Sequence, residues 1–213
     1  MVSVQKYESS ERRKRFVFLQ PDPFYAGGNI NTMEALSRPD FYTTEELAAF
    51  PAIGLITPDT SSERRAVLGA MILGSVIEVT MTDGATTTGE FEVVEELIDQ
   101  LERSLELTSR ENLEEIGTEM GMVPFISGVW SREQFRKSRE ILAASLERLG
   151  EEDAHKIRAL IAKYCYEAAK ASGGLLKITN ISDDEESILV EIAKTLKLGT
   201  TAEGIHLLSR TQD

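Results

Sequence analysis

Apolar positions after residue 62 recur at intervals of three and four residues, which is the spacing of one face of an α-helix. The first such segment has this stripe of apolar residues: Val67, Leu68, Met71, Ile72, Val76 and Val79. Other apolar residues fill much of its remaining surface, as is typical of a helix buried on most sides. We therefore predict a central buried helix that ends before Gly84, because glycine commonly follows a helix end.

A second helix is predicted directly after this one. Thr87 and Glu90 form a Ser/Thr-x-x-Glu capping pattern, which marks a helix N-terminus. The inward stripe of this helix is Val93, Val94, Leu97, Ile98 and Leu101. Two helices joined by so short a turn form an antiparallel hairpin.

The same plan returns near the end of the sequence. Residues 155–171 form an apolar helical segment, and Ser182 with Glu185 repeats the capping pattern. The stripe that follows is Ile188, Leu189, Ile192, Ala193 and Leu196. We predict a second hairpin, related to the first by a pseudo-twofold axis.

Between the hairpins the pattern predicts a helix over residues 109–120, a loop with Pro124 and Gly128, and an amphipathic helix over residues 131–149. The last of these places four apolar residues inward and is followed by Gly150: Phe135, Leu142, Leu146 and Leu149. No alternating strand pattern competes with helix after residue 62. The predicted fold class is therefore all-α, a bundle of six to seven helices with two pseudo-symmetric hairpins.

Residues 1–60 have a different composition, with five of the six prolines and few periodic apolar runs. We predict an irregular, Pro-rich N-terminal arm or cap over residues 1–60, with one short helix over residues 44–50, and a helical domain over residues 61–213. The basic stretch "ERRKR" in this arm is either a docking patch or a solvated loop.

The chain of 213 residues has 23 Lys and Arg against 36 Asp and Glu, which gives a net charge of −13. This charge disfavours binding to nucleic acid or to anionic lipid and favours cations or basic proteins as partners. The single cysteine, Cys165, excludes an internal disulfide and indicates a reducing, cytoplasmic location. Neither a signal peptide nor a membrane-spanning run is predicted, although docking on a membrane protein stays open.

Glutamate at position 78 needs a partner, because a carboxylate in a buried helix is costly unless it is paired, hydrogen-bonded or bound to a cation. One interpretation is that Glu78 and Glu167 hold the hairpin turns. The other is a divalent-cation site assembled from Glu78, Asp83, Glu90 and Glu92. An EF-hand loop is excluded, because Val79 and Met81 would occupy its first and third ligand positions.

Acidic residues are dense from residue 90 to 119, where eleven acids face two arginines. Such a run is either a solvated face or a surface for a basic partner. We predict that the partner-binding residues are Glu95, Glu96, Asp99 and Glu102. Few catalytic patterns are present. His155 and His206 lie too far in sequence from any convincing Ser, Asp or Cys partner to indicate a catalytic triad. The Glu-x-x-His motif occurs once, at Glu152 and His155, whereas a di-iron bundle needs two such motifs. A non-enzyme is predicted, with a helical metalloenzyme as the remaining alternative.

Four segments together resemble the tellurite-resistance protein B (TerB) family and its wider superfamily: "EVTMTDG", "TTTGEFEVVEELIDQL", "YCYEAAKASGG" and "ISDDEESILVEIAKTLKLG". The resemblance covers roughly residues 62–200 and departs from the family pattern at Ser172, where aspartate is expected. It implies an all-helical, non-catalytic protein that acts with a membrane protein in a metal-linked stress-resistance complex. It maps Glu78, Asp83 and Glu90 onto the better preserved acidic motif. The degenerate motif corresponds to Glu167, Asp183, Asp184 and Glu185. A pure protein scaffold without ion binding is the other interpretation.

Overall fold

Seven α-helices make up most of the described chain, and no strand occurs in it. The computed structural model describes residues 33–82, 86–107, 130–172 and 181–200, together with Gly204. In chain order the helices are α1 (Met33–Ser37), α2 (Thr44–Ile53), α3 (Ser61–Thr80), α4 (Thr88–Ser104), α5 (Arg132–Arg148), α6 (Glu151–Ser172) and α7 (Asp183–Thr195). A short 3-10 helix, Leu198–Thr200, follows α7.

The central element is α3, which packs against α1, α4, α5, α6 and α7. Every residue of α3 from Ala66 to Thr80 is buried, which confirms the predicted central helix. A helix surrounded by others on all sides has no solvent face to fill with charge, so its sequence is almost continuously apolar. Glu78 is the one acidic residue in this buried stretch.

The inward stripes of the surrounding helices follow the predicted periodicity. In α5 the four predicted residues, Phe135, Leu142, Leu146 and Leu149, are buried or lie just past its end in the core. In α7 the five predicted stripe residues are all buried. In α4 only Leu97 and Leu101 are fully buried, whereas Val93, Val94 and Ile98 are partly covered.

Residues 33–60 contribute to the same core as the later helices. The short predicted helix is present as α2 and is longer than expected, α1 precedes it, and Leu36, Phe41 and Phe50 are at most 1% exposed. Arg148 of α5 holds this region by donating to both carboxylate oxygens of Glu46, at 2.8 Å each. The described half of the predicted arm is therefore folded onto α3 and α5.

One glycine is needed by the backbone conformation, and another lies at a close contact between helices. Gly54 ends α2 with φ 89°, in the left-handed region that L side chains rarely adopt. Gly89 of α4 lies against α6, and a Cβ placed on it would meet Ala171 Cβ at 3.4 Å. Gly84, the predicted end of the central helix, and the predicted helix over residues 109–120 lie outside the described residues.

Candidate functional site

A buried guanidinium lies where four helices meet. Arg139 of α5 donates to Glu78 of α3 and to Glu191 of α7. The side chains of Arg139 and Glu78 are 2% and 6% exposed, whereas that of Glu191 is 46% exposed. The arginine therefore bridges three helices and opens to solvent only on the side of Glu191.

The bridge leaves several buried polar atoms unsatisfied. Glu78 Oε1, Arg139 Nε and Ser138 Oγ have no hydrogen-bond partner among the described residues. Burial lowers the pKa of Arg139, and the neighbouring Glu191 opposes that change. Since an arginine retains its proton at any physiological pH, the guanidinium of Arg139 carries a full positive charge beside the two carboxylates. Cys165 of α6 completes the surroundings, and burial raises the pKa of its thiol to about 12.

The partner that Glu78 was predicted to need is thus Arg139. The sequence alone left the choice between a turn contact and a cation, and the guanidinium fills the place of a cation. Asp83, the second predicted ligand, lies outside the described residues. Within the described ranges, no three His, Cys, Asp or Glu side chains are grouped so that they could hold a metal ion.

Glu90 and Glu185 lie in corresponding capping boxes. Glu90 accepts from the Thr87 amide at 2.6 Å, and Glu185 accepts from the Ser182 amide at 2.7 Å. Both predicted capping patterns are therefore confirmed. The second carboxylate oxygen of Glu185 also accepts from the hydroxyl of Ser172, at the end of α6. These bonds use both carboxylates to fix the starts of α4 and α7.

The remaining acids of the predicted cation site lie apart from Arg139. Glu92 is exposed on α4, and Asp183 and Asp184 are exposed in the first turn of α7, where negative charge favours the helix N-terminus. Glu167 lies on α6 with a partly exposed side chain and pairs with Lys170 at 3.9 Å. No described contact joins these four residues into one group.

The outer face of α4 is the second candidate site. We define it by Phe91, Glu92, Glu95, Asp99 and Glu102, which lie on the side of α4 opposite Leu97 and Leu101. Glu92, Glu95 and Asp99 are exposed and form no hydrogen bond or ion pair with the described residues. Glu96, at its edge, instead accepts from the Tyr164 hydroxyl at 3.0 Å and pairs with Lys163 at 3.5 Å. The carboxylates of Glu92, Glu95 and Asp99 on the outer face of α4 therefore face solvent.

An apolar residue borders these charges. Phe91 is 52% exposed, and no other large apolar side chain in the described chain is exposed. It lines an open cavity of about 280 Å³ together with Thr86, Thr87 and Thr88. One carboxylate oxygen of Glu102, further along the same face, is buried and has no partner among the described residues. The face thus has an apolar end and an acidic middle.

Sequence reasoning missed Arg139, although a signal was present. Arg139 lies four residues after Phe135 and three before Leu142, on the inward stripe of the predicted helix. A charged residue on an apolar stripe indicates a buried ion pair. This position therefore indicated that Arg139 needs a buried acidic partner, although it did not identify Glu78 as that partner.

Comparisons with known proteins do not add an identity to this geometry. The chain matched no protein-family model, no curated protein and no solved structure. Among the described helices, none is long and apolar enough to cross a lipid bilayer. The functional argument therefore rests on the two sites described above.

Proposed function

We propose that the protein is a non-catalytic, TerB-like helical adaptor that binds a basic segment of a partner protein through the outer face of α4. The observation that supports this proposal is the exposure of Glu92, Glu95 and Asp99, none of which forms an ion pair with a described residue. Arg103, one turn after Asp99, donates to Gln100 instead. Adjacent like charges on one helix repel each other and destabilise it slightly. An approaching basic segment would relieve this repulsion and would be steered by the field.

The resemblance to the TerB family supplies the biological setting of the proposal. It favours a stress-response complex, of the tellurite-resistance kind, with a membrane protein as the partner. The two hairpins, α3 with α4 and α6 with α7, would be pseudo-symmetric halves of one scaffold, with the Arg139 bridge as a structural element between them. In this proposal the buried cluster of Arg139, Glu78 and Glu191 has no catalytic role.

The test compares three full-length baits in extracts of the source cells. They are the wild type, the double variant Glu95→Gln/Asp99→Asn, and the matched control Asp40→Asn/Glu45→Gln, which neutralises two exposed acids near α2. We expect at least one protein with a basic segment to be retained by the wild type and the control and reduced tenfold on the α4 variant. Raising the salt concentration should release it, because exposed charge pairs are screened. Equal recovery on all three baits would refute the proposal.

A cation-linked form of the adaptor is the second candidate, and the Ser172 contact favours the turn between α3 and α4 over the turn between α6 and α7 as its position. In the second hairpin the Ser172 hydroxyl donates to Glu185, so this turn needs no cation. A divalent ion would therefore bind at the first turn, with Asp83 as a ligand beside Glu90 or Glu92. A site filled at about 100 times its dissociation constant stabilises the fold by about 2.7 kcal/mol.

The corresponding experiment measures the melting temperature of the metal-stripped protein with calcium, magnesium, manganese and zinc. One ion should raise it by about 5 to 10 °C, and Asp83→Asn should remove the increase. Ser172→Asp should lower the melting temperature without metal, because it places a second carboxylate against Glu185. A scaffold without ion binding is indicated if no ion changes the wild type.

A further inference from the structure

We draw no further inference here: the strongest candidate, the buried side-chain cluster of Arg139, Glu78 and Ser138 on α3 and α5, has polar atoms without hydrogen-bond partners among the described residues, but it belongs to the ion-pair bridge already described, and no described contact points to a ligand that would reach it.

Discussion

Arg139 is a charged residue in a costly, almost fully buried environment. Its side chain is 2% exposed, and its Nε finds no partner among the described groups. Removing such a charge from water costs several kcal/mol, and the two carboxylates recover part of that cost. A buried pair of this type is weak evidence for high stability, but breaking it from one side is strongly destabilising.

We expect Arg139→Met to reduce the free energy of unfolding by about 3 to 5 kcal/mol, because Glu78 is left as a buried charge without a partner. Urea denaturation measures this change. The control is Arg136→Met on the same helix. The Arg136 side chain is 48% exposed beside Glu133, so this substitution should reduce the free energy of unfolding far less than Arg139→Met does. The double variant Arg139→Met/Glu78→Leu should be more stable than Arg139→Met alone. If Arg139→Met and Arg136→Met reduced the free energy of unfolding equally, the buried bridge would contribute no more to stability than an exposed ion pair.

At this scale the sequence predicted the need of Glu78 for a partner but not the partner itself. Glu78 and Arg139 are 61 residues apart, and local spacing contains no information on which distant side chains meet. The role of Ser172 was also beyond prediction. Its hydroxyl looked like a departure from an aspartate pattern, whereas it is a hydrogen-bond donor to the capping residue Glu185.

The helices begin at local signals, and for that reason their starts were predictable. Capping boxes open five of them, at Thr43, Thr60, Thr87, Ser131 and Ser182. The boxes at Thr87 and Ser182 were predicted from sequence and are confirmed. Each box needs only a hydroxyl and a carboxylate or amide three residues later. In contrast, the packing of α1 and α2 onto the core was not predictable from local sequence, since residues 33–60 contain few periodic apolar positions.

The capping box of α3 predicts a pH dependence. The carboxylate of Glu63 accepts from the Thr60 amide at 2.7 Å and from the Thr60 hydroxyl at 2.8 Å. These bonds lower the pKa of Glu63 from its ordinary value of 4.5. A lowered folded pKa means that the contribution of the cap is complete above about pH 4.5. It is lost as the pH falls through the lower folded value.

We therefore expect the urea midpoint of the wild type to fall between pH 5 and pH 3 more steeply than that of Glu63→Gln, which cannot ionise. Glu92→Gln is the control, because Glu92 is exposed and forms no described hydrogen bond. The urea midpoint of Glu92→Gln should fall between pH 5 and pH 3 as steeply as that of the wild type. A Glu63→Gln slope equal to the wild-type slope would assign the acid sensitivity to other carboxylates.

The whole molecule is built around one core, and Cys165 reports on its integrity. The thiol is fully buried, and burial raises its pKa to about 12, so almost no thiolate exists near pH 8. We expect a thiol reagent to modify Cys165 only through opening of the core, at a rate that increases in Arg139→Met. Ser187→Cys, at an exposed position of α7, should be modified within seconds. Equally fast modification of Cys165 in the folded wild type would contradict this burial.

At the scale of the molecule, periodicity predicted the all-α class because each helix carries its own apolar stripe. Proline density indicated an irregular arm or cap, and the described prolines are compatible with a folded segment. Pro39 and Pro58 lie in connections between helices, where proline is well tolerated, and Pro51 lies near the end of α2. Phe41 and Phe50, between Pro39 and Pro58, reach the core. Which helices touch is decided by long-range packing, which no single segment encodes.

The position of the Arg139 bridge constrains how this chain can change over evolutionary time. Glu78 lies on α3 and Glu191 on α7, and Arg139 lies on α5, which is between them in the chain, so a substitution at one of these positions affects the other two. A change of charge at position 78 is tolerated only with a compensating change at position 139. The exchange Glu78→Arg with Arg139→Glu would have to pass through an intermediate that carries two like charges in the core. A rearrangement that separates α3 from α5 would therefore leave Glu78 or Arg139 buried without its partner.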